Sequence, residues 1–229
     1  MRIKPIILLI ILITSGIFYY EITKAKTTTE TFKVERIIDG DTLELENGAR
    51  LRLKGINTPE SSMPFYQEAK QFLQNLVQNK SIQIESYGTD KYGRILAHIF
   101  LNDKNINKEI IQQGLATLYY YEHDNHYKEL EKAEEFARLN QKGLWKKSKN
   151  EICLEIVEFD YISEGGEKLV LRNHCEPMEV IIKDDATHIY KETLPQGIWE
   201  KSFNKIWNDA GDTLYISNEE GLLIFYRYN

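Results

Sequence analysis

Short stretches of alternating apolar and polar residues, separated by glycine turns, constrain the first half of the chain most. In "TFKVERIIDGDTLELENGARLRLKG", residues 31–55, apolar side chains recur at every second position. This spacing is typical of strands with one buried face. The dipeptides "DG" and "NG" between the stretches form turns readily, because Gly40 and Gly48 tolerate positive φ. The pattern predicts short strands joined by tight turns.

Helical spacing follows. In "FYQEAKQFLQNLVQNK" the apolar residues form one stripe of a helix, and the runs "SIQIESYG" and "RILAHIF" read as two further strands. The segments "INKEIIQQGL" and "HYKELEKAEEFARLNQKG" predict two more helices, the first ending at Gly114 and the second at Gly143. Along the chain the strands come first, and the helices are interleaved with them and come last. This order predicts a small closed β-barrel of the OB type over residues 31–148.

The sequence pattern changes after Trp145 and the following "KKSKN". Residues 151–229 contain the strand-like runs "ICLEIVEFDYI", "KLVLRN", "MEVIIKD", "TLYISN" and "LLIFYRY", separated by turn residues and without an amphipathic helix. This pattern predicts a small antiparallel β-sandwich. The fold class is therefore mainly β with helices (α+β), in two domains.

The charge distribution supports that division. The net charge is −6, but residues 151–229 carry 16 Asp and Glu against 7 Lys and Arg, whereas residues 31–150 are close to neutral. The acidic C-terminal domain should repel a phosphate backbone unless a local patch departs from this average. Nucleic-acid binding, if present, is expected in the first domain.

The N-terminal residues indicate export. Arg2 and Lys4 precede an uncharged run over residues 6–20, which fits the apolar region of a secretory signal and is shorter than the roughly 20 residues of a membrane span. We interpret residues 1–22 as a signal peptide or an N-terminal membrane anchor and residues 23–30 as a linker. The protein is then secreted or anchored on the outer face of the cell membrane. A buried strand or helix is the alternative.

The chain has two cysteines, Cys153 and Cys175, both in the C-terminal domain. An exported chain with an even number of cysteines can bridge them, and two buried thiols are the alternative.

Three segments carry residues suited to phosphodiester cleavage: "IDGDT", "RLRLKGINTPE" and "DKYGR". That reaction needs cations aimed at the phosphate oxygens, a metal ion, and a carboxylate that orients or deprotonates water. Arg52 and Arg94 can supply planar, permanently charged forks. Asp41 sits in a tight turn where its oxygens should be free to bind a hard cation such as Ca²⁺, and Glu60 ends the "TPE" corner.

With the later "QQGLATLYYY", these segments resemble the staphylococcal nuclease (thermonuclease) family in order and spacing, over residues 31–147. The resemblance implies an OB-fold and calcium-dependent hydrolysis of DNA and RNA, with single-stranded or flexible substrates preferred and 3′-phosphate products. It also assigns roles to seven positions. They are Arg52, Glu60 and Arg94 in catalysis, Asp41, Asn57 and the backbone carbonyl of Thr58 in calcium binding, and Tyr120 in packing on the nucleotide.

One departure from the family concerns Asn57, which stands where well-known members have a second calcium-binding aspartate. An amide oxygen can ligate calcium, but the site loses one negative charge and should bind the ion more weakly. A different class of function remains open, namely a non-catalytic nucleic-acid-binding OB module with an adhesion sandwich domain. The retained set of Arg52, Glu60 and Arg94 favours the enzyme.

The C-terminal segments "EKLVLRNHCEPMEV" and "FNKIWNDAGDTLYISNEEGLLIFYRY" resemble lamin-tail domains, which implies an immunoglobulin-like sandwich. No acid–base pair or metal cluster stands out there. We expect a protein- or envelope-binding domain with an unidentified ligand, in a monomeric protein.

Overall fold

The computed structural model describes residues 31–119, 123–162 and 166–228. The expectations for residues 1–22 and 23–30, and for Tyr120, therefore lie outside the described residues. Within the described ranges, no helix is both long and apolar enough to cross a bilayer. Residues 32–229 form one compact unit, and the contacts reported below lie within it.

The first domain is built on a closed barrel. Its sheet runs in the order β3-β2-β1-β5-β6-β7, and a parallel pairing of β3 with β6 closes the ring, as in an OB-type fold. A separate two-stranded ladder pairs β4 with β8. The strands are β1 (Thr31–Ile37), β2 (Thr42–Leu45), β3 (Arg50–Leu53), β4 (Ile56–Asn57), β5 (Ser81–Thr89), β6 (Ile95–Leu101), β7 (Lys104–Asn105) and β8 (Thr117–Leu118).

Three helices accompany the barrel: α1 (Tyr66–Val77), α2 (Ile106–Gln112) and α3 (Tyr127–Leu139). The apolar stripe of α1 is buried in the barrel core, as its spacing predicts. Helix α3 ends earlier than expected, with Asn140 as its C-cap. Gly143 instead begins a 3₁₀ turn, and a Cβ on it would lie 2.3 Å from the carbonyl oxygen of Gly114. Gly143 is therefore needed for a close approach of two backbone segments and does not end the helix.

The second domain consists of two antiparallel sheets, ordered β13-β10-β9 and β12-β11-β14-β15. Residues from both sheets form one core, including Leu171, Ile182 and Trp207. The strands are β9 (Leu154–Asp160), β10 (Glu167–Asn173), β11 (Met178–Lys183), β12 (Ile189–Leu194), β13 (Gly197–Phe203), β14 (Asp212–Asn218) and β15 (Gly221–Tyr228). The architecture is a two-sheet sandwich. Its immunoglobulin-like class remains a prediction.

The sequence patterns missed β12 and β13. Each is an edge strand, and each carries charged side chains in its middle, as in "IYKETL" and "GIWEKSF". Edge strands commonly carry charge, which blocks pairing with other chains and weakens the apolar signal. This explains why period-two hydrophobicity did not reveal them.

Cys153 and Cys175 form a disulfide with a Cα–Cα distance of 5.4 Å and a sequence separation of 22 residues. The open choice between a bridge and two thiols is thus settled in favour of the bridge. It ties the 3₁₀ turn before β9 to the loop after β10. Closing a loop of this size typically stabilises a domain by about 3 kcal/mol.

The sandwich packs directly on the barrel domain. The Leu222 N–H donates to the Lys146 carbonyl (2.8 Å), and the Ser148 N–H donates to the Leu222 carbonyl (2.9 Å). The Trp145 ring lies 5.2 Å from that of Phe225, between ring centroids. A Cβ on Gly221 would lie 2.2 Å from the Lys146 carbonyl oxygen, so this junction requires glycine.

Candidate active site

A cleft of about 820 Å³ opens on one side of the barrel. It collects residues from the β1–β2 turn, strand β3, the corner after β4 and the β5–β6 turn. Six of the seven residues assigned from the sequence line it, and the seventh, Tyr120, lies outside the described residues. The six are Asp41, Arg52, Asn57, Thr58, Glu60 and Arg94.

Asp41 is buried beneath this cleft, with 5% of its surface exposed. Its Oδ2 accepts hydrogen bonds from the Thr58 N–H (2.9 Å) and the Thr58 hydroxyl (2.8 Å), and its Oδ1 accepts one from the Thr42 hydroxyl (3.2 Å). The expectation that these oxygens are free was wrong, because the "TPE" corner folds back onto the turn. Asp41 thereby fixes the position of Thr58.

A second carboxylate, Asp39, also lines the cleft, and the sequence analysis did not select it. Burial and the neighbouring Asp41 carboxylate raise the pKa of Asp39 to about 6. The signal available in the sequence was "DGD", which places two carboxylates in one tight turn. A half-buried carboxylate beside a buried one is an arrangement that a bound cation stabilises.

Arg52 is held by the protein on almost every side. Its Nη1 donates to the carbonyls of Leu53 (2.6 Å) and Ile56 (2.9 Å), and its Nη2 donates to Asn57 Oδ1 (3.0 Å). Its Nε lies 3.2 Å from Asp41 Oδ1. A guanidinium has five N–H groups, so one N–H on Nη2 is left to face the cleft. Arg52 is thus rigidly oriented, but it does not present the open two-pronged fork that the sequence suggested.

Asn57 uses both ends of its amide. Its Oδ1 accepts the bond from Arg52, and its Nδ2 donates to the backbone carbonyls of Asp185 (3.1 Å) and Ala186 (2.8 Å) in the sandwich. The residue is 7% exposed. The oxygen expected to bind calcium therefore retains one lone pair beside a guanidinium.

Arg94 stands at the mouth of the cleft with 29% of its side chain exposed. Its Nε and Nη2 each lie 2.7 Å from Asp90 Oδ2, and its guanidinium lies 5.4 Å from the centroid of the Tyr92 ring. Asp90 in turn accepts from the backbone N–H groups of Tyr92 and Arg94. The "DKYGR" turn therefore orients this arginine while leaving part of it open to a ligand.

Glu60 differs from the other acids of the cleft because it is exposed. Within the described ranges its carboxylate has no hydrogen-bond or ion-pair partner. A carboxylate in this state can accept a proton from water, or hydrogen-bond to it, without first breaking a protein contact.

The donor set fits calcium in part. Within residues 31–119, 123–162 and 166–228, no group of three or more His, Cys, Asp and Glu side chains has the geometry of a metal cage. The atoms in the cleft that could ligate a cation are oxygens, from Asp39, Asp41, Asn57 and the Thr58 carbonyl, and Arg52 already pairs with Asp41. Hard cations such as calcium prefer such all-oxygen ligands.

A second polar cluster on the barrel includes no residue that lines the cleft. Nε2 of the fully buried His98 lies 2.8 Å from Asp124 Oδ2, and Nε2 of His126 lies 2.9 Å from Glu85 Oε2. The two imidazole centroids are 4.3 Å apart. No local pattern signals the His98–Asp124 pair, since 26 residues separate its members.

Comparison with known proteins agrees with the nuclease-type fold of the first domain. Residues 50–147 match the family described as staphylococcal nuclease homologue. An uncharacterized endonuclease of Haemophilus influenzae is 36% identical over 141 residues, which cover 59% of this chain and 78% of that protein. The thermonuclease of Staphylococcus hyicus is 31% identical over 128 residues, 51% of this chain and 76% of that protein.

A plant relative shares a smaller part of its length. A probable staphylococcal-like nuclease of Oryza sativa is 37% identical over 100 residues, which are 44% of this chain but only 30% of that protein. The match therefore covers less than half of either chain.

The closed barrel and its arginine- and carboxylate-lined cleft define a nuclease-type OB domain. The chain belongs to the staphylococcal nuclease homologue family. The family match ends at residue 147, so the lamin-tail interpretation of residues 151–229 remains a prediction.

Proposed function

We propose that the protein is an exported, calcium-dependent nuclease that hydrolyses phosphodiester bonds in DNA and RNA and leaves 3′-phosphates. One observation carries the proposal: Arg52, Glu60, Arg94 and Asp41 come from three segments of the chain and line a single cleft. The nuclease relatives support the reaction class. Calcium, export and the choice of nucleic acid are part of the proposal.

Each residue has a distinct task in this scheme. Glu60, exposed and without a protein partner among the described residues, positions or deprotonates the attacking water. Arg94 and the remaining Nη2 N–H of Arg52 bind the phosphate and offset the charge that accumulates in the transition state. Asp41, Asn57 and the Thr58 carbonyl would hold calcium, with Asp39 close by. When bound, the ion would polarise a phosphate oxygen as a Lewis acid.

The remaining features of the proposal concern substrate and location. A flexible or single strand can enter the cleft, and Tyr120 would pack on its nucleotide. The protein would act as a monomer, either secreted or held on the outer face of the membrane through residues 6–20. The sandwich would bind a ligand of its own.

A cleavage assay tests the reaction. The full-length protein is incubated with end-labelled single-stranded DNA or RNA, in calcium or in chelator, and the products are treated with phosphatase before electrophoresis. We expect cleavage in calcium only, with phosphatase slowing fragments that end in a 3′-phosphate. Cleavage that persists in chelator would contradict the calcium requirement, and intact strands in calcium would contradict the enzyme.

Fractionation tests the location. Cells that make the protein are separated into medium, membrane and cytosol, and the N-terminus of the recovered protein is sequenced. A new N-terminus near residue 23 indicates cleavage, and an intact N-terminus in the membrane fraction indicates an anchor. Recovery from the cytosol alone would contradict export.

One observation favours the alternative of a non-catalytic binding module. Three N–H groups of Arg52 donate to protein acceptors and a fourth lies beside Asp41, so little of this arginine is left for a transition state. Retarded but uncut DNA in a gel-shift experiment with calcium present would support this alternative.

A further inference from the structure

We propose that the loop at residues 184–188 of the sandwich forms one wall of the nuclease cleft and contacts the substrate strand, with Asn57 as the positioning residue that holds this loop beside Arg52. The identity of the substrate rests on the proposed function. The attachment of the loop does not, and it can be measured without catalysis.

The loop borders the same cleft as the nuclease residues. Ala186 and Thr187 line it together with Arg52, Glu60 and Arg94, and Thr187 is exposed. Both loop residues are uncharged, although their domain is strongly acidic. The C-terminal domain therefore meets the cleft at a neutral point, where it does not repel a phosphate backbone.

The acidic residues of the loop are buried and paired within the sandwich. Asp184 accepts hydrogen bonds from the N–H of His188 (3.0 Å) and lies 2.7 Å from its Nδ1. Asp185 accepts from the hydroxyls of Thr213 (2.9 Å) and Tyr215 (2.8 Å). Their carboxylates are thus directed to their own domain, and the average charge of the domain is a poor guide to this surface.

The sandwich also fixes the loop backbone. The buried Lys183 donates through Nζ to the carbonyls of Asp184 (2.6 Å) and Ala186 (2.8 Å), and the Asp185 N–H donates to Asp212 Oδ1 (3.0 Å). Contacts within the sandwich therefore fix the conformation of the loop, so a few contacts from the barrel suffice to hold it at the cleft.

Asn57 supplies those contacts, and only an amide can do so. It must donate to two carbonyls and accept from a guanidinium at the same time. An aspartate could accept from Arg52 but has no N–H, and its charge would face the carbonyl oxygens of Asp185 and Ala186. The asparagine at this position therefore fits a chain whose second domain docks on the cleft.

A second contact between the domains supports the same strands from behind. Arg227 of β15 pairs with Glu134 of α3, and Glu134 Oε1 accepts from the Leu118 N–H (2.7 Å). Leu118 lies in β8 opposite Ile56 in β4, next to Asn57. The sandwich thus contacts the β4–β8 ladder at Asn57 directly and at Leu118 through Glu134.

The first test compares Asn57→Asp with wild type in calcium-free buffer. We expect the melting temperature to fall by about 3 °C or more and the amides of residues 184–188 to exchange faster, because the variant loses two hydrogen bonds and faces carbonyl oxygens. Asn75→Asp is the matched control, since Asn75 is exposed on α1 and its side chain bonds only with Gln71 among the described residues. It should leave both quantities unchanged.

The opposite result identifies a different role for Asn57. If Asn57→Asp matches Asn75→Asp in melting temperature and in exchange, the positioning role is overturned. Calorimetry with calcium then reports separately on calcium binding by the Asn57 Oδ1, which is compatible with the hydrogen bonds donated by Nδ2. If Asn57 has the proposed positioning role, steady-state kinetics of Asn57→Asp in saturating calcium should show a KM at least several-fold above that of wild type. The reason is that the loop at residues 184–188 no longer forms one wall of the cleft.

The second test addresses contact with the strand. Thr187→Trp fills the cleft from the loop, and Thr193→Trp places the same side chain on an exposed position of edge strand β12. Each is combined with Glu60→Gln, and binding of a fluorescent single-stranded oligonucleotide is measured by anisotropy with calcium present. Of the two tryptophan variants, only Thr187→Trp should change the Kd for the oligonucleotide, by about 10-fold or more relative to Glu60→Gln.

An unchanged Kd for Thr187→Trp would overturn the contact between loop and strand. Failure of the proposed function looks different, because wild-type protein would then bind the oligonucleotide without cutting it, or would not bind it at all. The calcium-free measurements on Asn57→Asp decide the attachment of the loop in either case.

Discussion

Two carboxylates in the cleft show how environment divides roles among residues of one chemical type. Asp41 is buried and holds Thr58 through two hydrogen bonds, whereas Glu60 is exposed and has no partner among the described residues. Loss of Asp41 should therefore damage the site itself. Loss of Glu60 should lower the catalytic activity and leave the structure of the site intact.

We accordingly predict that Glu60→Gln lowers kcat on the order of 10³-fold or more, with little change in stability, because only the proton-accepting group is removed. Initial rates on single-stranded DNA and a thermal melt of the same sample measure the two effects. Glu68→Gln, an exposed glutamate in the first turn of α1, is the control. Wild-type rates for Glu60→Gln would remove that residue from the mechanism.

His98 gives a prediction on pH. Burial lowers the pKa of this histidine below its ordinary value, although Asp124 opposes the shift. Between the lowered pKa and about 6.5 the unfolded chain binds more protons than the folded one, so this group reduces stability as the pH falls through that window.

Urea unfolding at pH 7.5 and 5.5 measures the effect. We expect wild type to lose more stability on acidification than His98→Gln, while His174→Gln, which removes an exposed histidine, should behave like wild type. Equal losses in wild type and His98→Gln would show that His98 does not carry this dependence.

Among the elements, the β1–β2 turn is packed tightly against helix α1 and the "TPE" corner. A Cβ on Gly40 would lie 2.8 Å from the Ala69 Cβ and 2.9 Å from the Thr58 side chain. Glycine is needed here for space, because three elements meet within van der Waals contact. The turn that carries Asp39 and Asp41 owes its position to this contact.

Gly40→Ala should therefore lower the free energy of unfolding by about 1–3 kcal/mol, because α1 or Thr58 must move. Denaturant unfolding measures it. Gly48→Ala is the comparison: its φ of +81° is unfavourable for alanine, but no atom lies within 4 Å of the added Cβ. Gly40 lacks such a φ, so an unchanged stability of Gly40→Ala would show that crowding does not account for this glycine.

At the scale of the whole molecule, the buried charge pair of Arg227 and Glu134 joins the two domains. Glu134 has 4% of its side chain exposed and Arg227 19%. Arg227 also donates to the Tyr215 hydroxyl, and Tyr215 to Asp185 in the loop at the cleft. The pair therefore connects the interface to the active site.

We predict that Arg227→Gln costs about 3 kcal/mol, because Glu134 would remain buried without its counter-charge. The test is chemical denaturation followed by tryptophan fluorescence. Arg172→Gln breaks an exposed pair with Glu155 and should have no measurable effect. A small loss for Arg227→Gln, equal to that control, would mean that the interface tolerates the uncompensated charge.

Much of the architecture followed from local pattern. Period-two apolar residues indicated the longer barrel strands, and helical spacing indicated α1 to α3, whereas the two-residue strands β4, β7 and β8 were not predicted. The edge strands β12 and β13 were not predicted, because charged residues in their centres mask the apolar pattern by which interior strands are recognised. Helix α3 ended early because Gly143 is needed for contact with Gly114, which lies far away in the sequence.

The sequence by itself determined most of the elements, the family resemblance and six residues of the cleft, because turns, strands and short motifs depend on near neighbours. Only the tertiary structure decided what those residues touch. Asn57 reaches carbonyls 128 and 129 positions away, and Arg227 reaches Glu134 across 93. No local pattern encodes such contacts, since they exist only after both domains have folded and docked.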